Sequence, residues 1–308
     1  MMERTDRHFR YLMRGITRTT LLYTEMIPAL AIVRGRQGWL LDYHPVEHPV
    51  AVQFGGSDPD VLTECARISV DRGYDEINLN VGCPSARVAE GGFGACLMAD
   101  PERVARCVEA MAKAASVPVT VKHRIGIDTR DSYEDLARFV AIVAQAGCTT
   151  FIVHARKAWL GGLSPRQNRS VPPLDHAMVH RLKIDRPDLT IVTNGEIASL
   201  AEGTVHLAQV DGIMIGRAAY ESPYLLADVD HLFGGSVSPA PSRHLIATRM
   251  IDYLAHEVAA GTPPIRILRH THGLFQGEPG ARRWRQTLTR ATDPSTAVRV
   301  VQEFLDSA

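Results

Sequence analysis

Short apolar segments rich in β-branched residues recur along the first two thirds of the chain, and segments with helical periodicity separate them. The strands predicted from these segments cover residues 21–26, 50–54, 76–81, 117–125, 149–155, 190–194 and 212–216. Capping residues such as Asp58-Pro59, Asp100-Pro101 and Ser132 with Asp135 indicate helix starts between the strands. Buried strands that alternate with helices are typical of an α/β protein with a parallel sheet covered by helices.

Two architectures satisfy this alternation, a doubly wound open sheet and a closed (β/α)8 TIM barrel. The chain has 308 residues, which accommodates one barrel of roughly 200–250 residues and a smaller appendage. A barrel needs eight strands, whereas seven are visible. We therefore expect the remaining strand to precede Leu21, at or before residue 1.

The character of the sequence changes after Leu232, where strand signals stop. Residues 234–242 read GGSVSPAPS, a composition typical of a linker. Apolar residues at helical spacing follow at Ala247, Ile251, Leu254 and Val258. A second such stretch opens at Pro294 and continues through Val298, Val301 and Leu305. These patterns predict a barrel over residues 1–235 and an all-helical domain over residues 236–308.

Composition places the chain among ordinary globular proteins, with 45% hydrophobic and 22% charged residues. It contains no apolar run of about 18 residues and does not open with a signal segment, so we expect a cytoplasmic protein that makes no contact with a membrane. The five cysteines are odd in number and lack CxxC spacing. This pattern argues against both a disulfide framework and a metal site.

Charge is balanced over the whole chain, with 34 basic and 34 acidic residues, but it is unevenly distributed. From residue 237 onward there are nine arginines, no lysine and six acidic residues, a net charge of +3. The preceding 236 residues carry a net charge of −3. This separation of sign indicates that the C-terminal part meets an anionic partner.

Polar residues at the ends of predicted strands are the candidates for chemistry, because the active site of a parallel barrel lies at the C-terminal ends of its strands. These residues are Gln53, Asn78, Asn80, Cys83, Lys122, His154, Arg156, Asn194, Gly216 and Arg217. Lys122 lies inside an apolar strand, where a buried ammonium needs compensation by an anion or an electron-rich ligand. The alternatives are a lysine whose ammonium reaches solvent and, for His154, a satisfied core histidine. Taken together with Arg156, the two residues favour a polyanionic or electron-rich cofactor.

Two glycine-containing turns follow the last strands, TNGE at residues 193–196 and IGRA at residues 215–218. In barrels this position often binds phosphate through backbone N–H groups, and glycine allows the backbone to approach closely.

Cys83 lies in the segment NLNVGCPS (78–85), which precedes the glycine-rich segment AEGGFGACLM (89–98). It differs in context from Cys65, Cys107 and Cys148, which we assign to the core. The chain has no accompanying Cys–His–Asn set of a thiol protease. The residues therefore favour a proton-donating thiol beside a redox cofactor.

These segments, taken in order, resemble those of the tRNA-dihydrouridine synthases, and specifically the synthase A subfamily. The resemblance covers nearly the whole chain and includes TDRHFRY (5–11), VAVQFGGSDP (50–59), VPVTVKHRIGID (117–128), FIVHARKAWLGGLSPRQNRSVPPL (151–174) and HGLFQGEPGARRWRQ (272–286). It implies a flavin-containing TIM barrel with a C-terminal helical domain, and we expect the protein to be a monomer. The resemblance further implies that FMN and NADPH are used to reduce the 5,6 double bond of uridine at positions 20 and 20a in the D-loop of tRNA.

The resemblance also implies residue roles. Cys83 corresponds to the proton donor. The positions implied to contact FMN are Met1, Met2, Gln53, Lys122, His154, Asn194, Gly195, Glu196, Gly216 and Arg217. The positions implied to contact tRNA are Asn80, Arg156, Trp159, Gly162, Arg282 and Arg285.

The start of the chain departs from the family pattern. The family reads Ala-Pro-Met-Met-Asp-aromatic before Thr-Asp, whereas this chain begins Met1-Met2-Glu3-Arg4. We therefore expect either that the native chain starts upstream or that the flavin pocket is weakened.

Two other classes of protein remain open. A flavin barrel that reduces a free pyrimidine would leave the basic C-terminal part without a purpose. An inactive RNA-binding relative is the second, and the joint presence of Cys83, Lys122 and His154 argues against it.

Overall fold

The computed structural model describes residues 1–306 and contains a seven-stranded sheet. The strands are β1 (Leu22–Pro28), β2 (Val50–Gly55), β3 (Glu76–Val81), β4 (Val119–Arg124), β5 (Thr150–His154), β6 (Thr190–Asn194) and β7 (Gly212–Met214). Each predicted strand is present within a few residues of its expected bounds, and β2 through β7 pair in parallel.

α-Helices alternate with the strands and continue after β7. They are α1 (Arg7–Ile16), α2 (Ala29–Val33), α3 (Pro59–Asp71), α4 (Ala86–Glu90), α5 (Pro101–Ala114), α6 (Tyr133–Gln145), α7 (His176–Asp185), α8 (Leu200–Leu207), α9 (Arg217–Glu221), α10 (Val229–Leu232), α11 (Arg243–Ala259), α12 (Pro264–Leu268), α13 (Ala281–Arg290) and α14 (Ala297–Asp306). The predicted N-caps Asp58, Asp100 and Ser132 each accept hydrogen bonds from the first turn of the following helix. These side chains therefore set the helix starts, as predicted.

Strand order decides between the two architectures that the sequence left open. The strands are adjacent in the order β1 to β7, without the reversal that defines a doubly wound sheet. The Lys122 ammonium on β4 donates to the Asn194 side chain on β6, across β5, so the sheet is curved. The fold is therefore of the TIM-barrel class. Within the described residues, β1 and β7 form the two edges of the sheet.

Polar side chains occupy one register level inside this sheet. Gln53, Asn78 and Thr120 are paired across β2, β3 and β4 and are almost completely buried. Gln53 Nε2 donates to Asn78 Oδ1 at 2.8 Å, and Asn78 Nδ2 donates to Thr120 Oγ1 at 2.7 Å. The hydrogen bonds offset the cost of burying these amides and fix their orientation.

The chain divides into two compact units. One comprises residues 1–22, 43–49 and 217–308, and the other comprises residues 23–42 and 50–216. The N-terminal helix α1 belongs with the C-terminal helices because Arg7 makes a 2.6 Å ion pair with Glu257 and His8 contacts the Tyr253 hydroxyl at 2.7 Å. The boundaries of these units differ from the predicted domain boundary between residues 235 and 236. The division into a barrel domain and a helical domain remains a prediction.

The C-terminal helices bury largely the faces that the sequence indicated. Ala247, Ile251 and Leu254 on α11 are buried. Helix α14 begins at Ala297, three residues after Pro294, because residues 294–296 form a turn first. Residues 235–242 lie in no helix or strand, as expected for a linker. No helix within residues 1–306 is long and apolar enough to cross a membrane.

Candidate active site

The loop after β3 holds Cys83 at the C-terminal end of the sheet. Asn80 is the last polar residue of β3, and its Oδ1 accepts the backbone N–H groups of Gly82 at 3.1 Å and Cys83 at 3.0 Å. The amide group of Asn80 also donates to Gln53 Oε1 at 2.8 Å. The position of the half-buried Cys83 is thus connected through Asn80 to the buried amide of Gln53.

The glycine-rich segment packs against the other side of this loop. Ala95 donates its backbone N–H to the carbonyl oxygen of Cys83 at 2.9 Å. The preceding residue, Gly94, has φ of +78°, and a Cβ atom there would lie 2.6 Å from the same oxygen. Glycine is therefore required at this position both by its backbone conformation and by the close approach.

Lys122 lies near Cys83 and reaches across the sheet. Its Nζ donates to Asn194 Oδ1 at 3.1 Å, while the Asn194 amide donates to the carbonyl oxygen of Met214 at 2.8 Å. The pKa of Lys122 is lowered to about 8 because burial and, to a smaller extent, repulsion from Arg124 outweigh the opposite effect of Cys83. The ammonium is thus desolvated, and the residues paired with Lys122 on β3 and β5, Asn80 and Ile152, carry no compensating carboxylate.

The turn after β6 has an unusual backbone and is held by charged side chains. Gly195 has φ of +140°, and Glu196 adopts φ of +50°, which is uncommon for a residue with a side chain. Arg156 Nη2 forms a 2.8 Å ion pair with Glu196, and Arg156 Nη1 donates to the carbonyl oxygen of Pro172. Arg156 is 5% exposed, so its contacts are with the protein's own turn and loop.

Arg124 is a site residue that the sequence analysis missed. Its Nε donates to the carbonyl oxygen of Gly82 at 3.1 Å, and its Nη1 donates to the carbonyl oxygens of Lys157 and Asn168 at 3.1 and 2.9 Å. No carboxylate within the described part of the chain forms an ion pair with it. The signal was available, because Arg124 lies two residues after Lys122 and therefore on the same face of β4.

Arg124 is a second cation near Cys83, and it is buried. The pKa of Arg124 is lowered to about 10, mainly by burial; Cys83 opposes this shift, whereas repulsion from Arg156 and Arg169 adds to it. Three guanidinium groups and the Lys122 ammonium therefore lie in one region. Such a concentration of positive charge favours an anionic or electron-rich ligand.

The loop after β5 contains two further predicted positions. Trp159 is half-buried, its backbone N–H donates to Asn168 Oδ1 at 2.8 Å, and the Lys157 ammonium lies 4.4 Å from the centre of its ring. Gly162 is exposed with φ of +80° and has open space around it.

His154 is the last residue of β5 and pairs with Arg124 and Asn194 in the sheet register. Its ring lies 3.5 Å from the position that a Gly195 Cβ would take.

The remaining predicted positions are distributed between the two units. Gly216 follows β7 in the unit that contains the sheet. Met1, Met2, Arg217, Arg282 and Arg285 belong to the other unit. The amino group of Met1 donates a hydrogen bond to Thr5 Oγ1 at 2.5 Å, and Met2 is 57% exposed. Arg282 and Arg285 are exposed on α13, whereas Trp284 and Leu288 on the same helix are buried.

The other cysteines have the environments expected from their sequence context. Cys65, Cys107 and Cys148 are fully buried, and burial raises the pKa of each thiol. Within residues 1–306, no cluster of three His, Cys, Asp or Glu side chains has the arrangement of a metal site. The assignment of these three cysteines to the core is confirmed.

Comparison with known proteins identifies the relatives of this chain. It is 57% identical over 292 residues to a tRNA-dihydrouridine(20/20a) synthase from Synechocystis sp., covering 95% of this chain and 87% of that protein. It is 52% identical to the enzyme of the same name from Vibrio cholerae (99% and 94% covered) and 53% identical to that from Escherichia coli (94% and 84% covered). Residues 1–308 match the family described as "Dihydrouridine synthase". The chain therefore belongs to the dihydrouridine synthase family of oxidoreductases.

Proposed function

We propose that this protein reduces uridine to 5,6-dihydrouridine at positions 20 and 20a in the D-loop of tRNA, with FMN as cofactor and NADPH as reductant. The observation that carries the proposal is the placement of Cys83 at the sheet's C-terminal end, next to two desolvated cations. The names of the relatives, which are tRNA-dihydrouridine(20/20a) synthases, support the substrate and positions. We also propose that it acts as a cytoplasmic monomer.

The residues around Cys83 fit a flavin mononucleotide. The flavin ring is rich in acceptors, and the half-buried Lys122 and the buried Arg124 are desolvated cations that form no ion pair with a carboxylate of the described chain. Gln53 keeps one N–H and one lone pair available after its bonds to Asn78 and Asn80. The turn at residues 194–196 and the Gly216–Arg217 segment would hold the phosphate. Met1, Met2 and His154 complete the proposed FMN contacts.

The reaction requires a hydride at carbon 6 of uracil and a proton at carbon 5, and bound FMN would carry the hydride from NADPH. Cys83 would donate its Sγ proton to carbon 5 and recover a proton from solvent. Asn80 holds the two backbone N–H groups at Gly82 and Cys83, and so positions the thiol. When the hydride arrives before the proton, negative charge develops on the uracil ring. Lys122 and Arg124 would stabilise this charge.

Binding of tRNA would involve a second set of residues. A uridine must leave its stack to enter such a site, at a cost of about a few kcal/mol. Arg282 and Arg285 on α13 would supply compensating phosphate contacts. Trp159 and Gly162 lie in the loop after β5, where Trp159 would offer an aromatic face to a nucleotide. We also propose Asn80 and Arg156 as tRNA contacts, although Arg156 is already engaged by Glu196.

The proposal is tested with the purified protein, NADPH and an unmodified tRNA transcript. We expect visible flavin absorption, bleaching by NADPH, and dihydrouridine only at positions 20 and 20a. The Cys83→Ala variant should retain flavin absorption and bleaching, while dihydrouridine formation falls by about 10²-fold to 10⁴-fold.

Other outcomes identify the alternative classes. Turnover of free uracil or dihydroorotate without reduction of tRNA would indicate a small-molecule reductase. Binding of tRNA without flavin would indicate an inactive RNA-binding relative. Loss of bleaching in Cys83→Ala would contradict the role of the thiol as a proton donor.

A further inference from the structure

A histidine outside the proposed active site contacts the turn at residues 193–197 directly. His176 is the first residue of α7, and its Nε2 lies 3.0 Å from the carbonyl oxygen of Gly195. Its Nδ1 lies 2.9 Å from the hydroxyl of Thr193, a fully buried residue at the end of β6. Both nitrogens of the ring are therefore engaged by the same turn.

These partners determine the tautomer of His176. A carbonyl oxygen only accepts, so Nε2 must carry the proton and donate to Gly195. Nδ1 then accepts from the Thr193 hydroxyl. Burial lowers the pKa of His176, as do the neighbouring His206 and His180, so the neutral ring that this arrangement uses is the prevailing form near neutral pH.

Because the peptide group is planar, the contact with the Gly195 carbonyl also fixes the direction of the Glu196 N–H bond. The carbonyl of Gly195 and the N–H of Glu196 belong to one planar trans peptide and point in opposite directions. Fixing the carbonyl toward His176 therefore aims the Glu196 N–H away from α7. Because Gly195 and Glu196 both have positive φ, this peptide orientation needs support from its surroundings.

Other side chains fix the two ends of the same turn. Lys122 bonds to Asn194 at 3.1 Å, and Arg156 pairs with Glu196 at 2.8 Å. Neither contact reaches the peptide between Gly195 and Glu196. The hydrogen bond from His176 does act on that peptide, through the carbonyl oxygen of Gly195.

We infer that His176 is a positioning residue, which fixes the orientation of the Gly195–Glu196 peptide in the turn that we propose holds the phosphate of the flavin. The inference rests on the proposed function, since it takes the turn to be part of the FMN site. It assigns the neutral Nε2–H tautomer a defined role. His176 itself does not contact the reacting atoms.

The chain offers a matched control for this role. His180 lies one turn later on α7, and its Nε2 contacts His206 Nδ1 at 3.2 Å. The two histidines share the helix, the half-buried environment and the contact with His206, whose ring centre lies 4.2 Å from that of His176. The turn at residues 193–197 is bonded by His176, whereas the bond of His180 goes to His206.

The test compares FMN dissociation constants of flavin-free protein, measured by quenching of FMN fluorescence. His176→Phe and His176→Leu remove the donor, and we expect each to weaken FMN binding by about five- to tenfold, the effect of one lost hydrogen bond. His176→Gln restores a donor and an acceptor and should recover most of the affinity. His180→Phe should bind FMN with an affinity within about twofold of the wild type, because this substitution removes no hydrogen bond to the turn at residues 193–197.

A second readout does not depend on flavin. Hydrogen exchange of the backbone amides at residues 194–197 should accelerate in His176→Phe and not in His180→Phe. If the wild type binds FMN and either folded apolar variant binds it equally well, the inference is overturned while the proposed function stands. If the wild type does not bind FMN, the proposed function fails and the phosphate role falls with it, and exchange then reports only whether His176 holds the turn.

Discussion

The side chains of Lys122 and Asn194 meet across an intervening strand, with Nζ of the lysine 3.1 Å from Oδ1 of the asparagine. Lys122 belongs to β4 and Asn194 to β6, so the contact passes over β5. In a flat sheet these strands would be separated by about 9–10 Å, twice the spacing of neighbouring strands. The curvature of the sheet therefore brings an ammonium from one strand onto the turn that follows another.

Replacing Lys122 by Met should weaken FMN binding by about tenfold or more, because one charge-assisted hydrogen bond donor is lost from the proposed site. Titration of flavin-free protein with FMN measures this. Lys113→Met is the control, since Lys113 is exposed and pairs with Glu109 on the same helix. Equal affinities of the Lys122 variant and the wild type would contradict the assignment.

The pH dependence of FMN binding should report the same ammonium. The pKa of Lys122 is lowered to about 8, first by burial and then by Arg124. An anionic ligand favours the protonated form, so FMN affinity should be highest below pH 8 and fall as pH rises from 8 to 9. Lys122→Met should lack this fall. Dissociation constants at pH 7, 8 and 9 provide the comparison, and identical profiles would contradict the prediction.

Gly94→Ala should displace the loop that carries Cys83. A Cβ atom at residue 94 would lie 2.6 Å from the Cys83 carbonyl oxygen and 2.6 Å from Val88 Cγ1, at a positive φ that disfavours alanine. We expect a loss of roughly 1–3 kcal/mol in stability and a lower rate of uridine reduction. Gly15→Ala is the control, because its Cβ would lie 3.9 Å from Ile246. Thermal unfolding and turnover test this, and an unchanged rate would mean that the loop tolerates the shift.

Asp6 should contribute stability that is lost in acid. Burial acts to raise its pKa, but the hydrogen bond and charge of His270, the Phe9 N–H and Arg269 together hold the pKa well below its usual range. A depressed folded-state pKa stabilises the protein above the unfolded value near 4, and this contribution disappears as pH falls below it.

Asp6→Asn should therefore lower the melting temperature at pH 7, and the difference from wild type should shrink below pH 4. The asparagine retains the capacity to cap α1, so the loss isolates the charge. Asp188→Asn serves as the control because Asp188 is exposed and pairs with Arg186. A difference that is constant from pH 7 to pH 3 would show that charge is not responsible.

Arg282→Ala with Arg285→Ala should weaken tRNA binding and reduce its dependence on salt. Both side chains are exposed on α13, three residues apart and therefore on one face. If each contacts one phosphate, the slope of log affinity against log salt should decrease by roughly one unit per arginine. The control is Arg249→Ala with Arg299→Ala, which removes the same charge from other exposed positions of this unit. An unaltered slope in the first double variant would contradict the docking role of α13.

The sequence alone determined the elements of the sheet and much of their chemistry. Strand positions were predictable because burial on both faces requires continuous apolar segments, which is a local property. Helix starts were predictable because Asp58, Asp100 and Ser132 cap the residues that directly follow them. The motif around Cys83 likewise carries its own turn, in which Asn80 binds the N–H groups two and three residues later.

Only the tertiary structure decided which distant groups meet. The position of Arg124 on the same strand face as Lys122 can be deduced from the sequence, but its partners Gly82, Lys157 and Asn168 are 33 to 44 residues away in the chain. The requirement for glycine at residue 94 depends on the approach of the Cys83 carbonyl, and the contact of His176 with Gly195 depends on how α7 packs beside β6. Local patterns encode strands, helices and caps, whereas these contacts arise from the register and curvature of the whole sheet, which no local segment of sequence specifies.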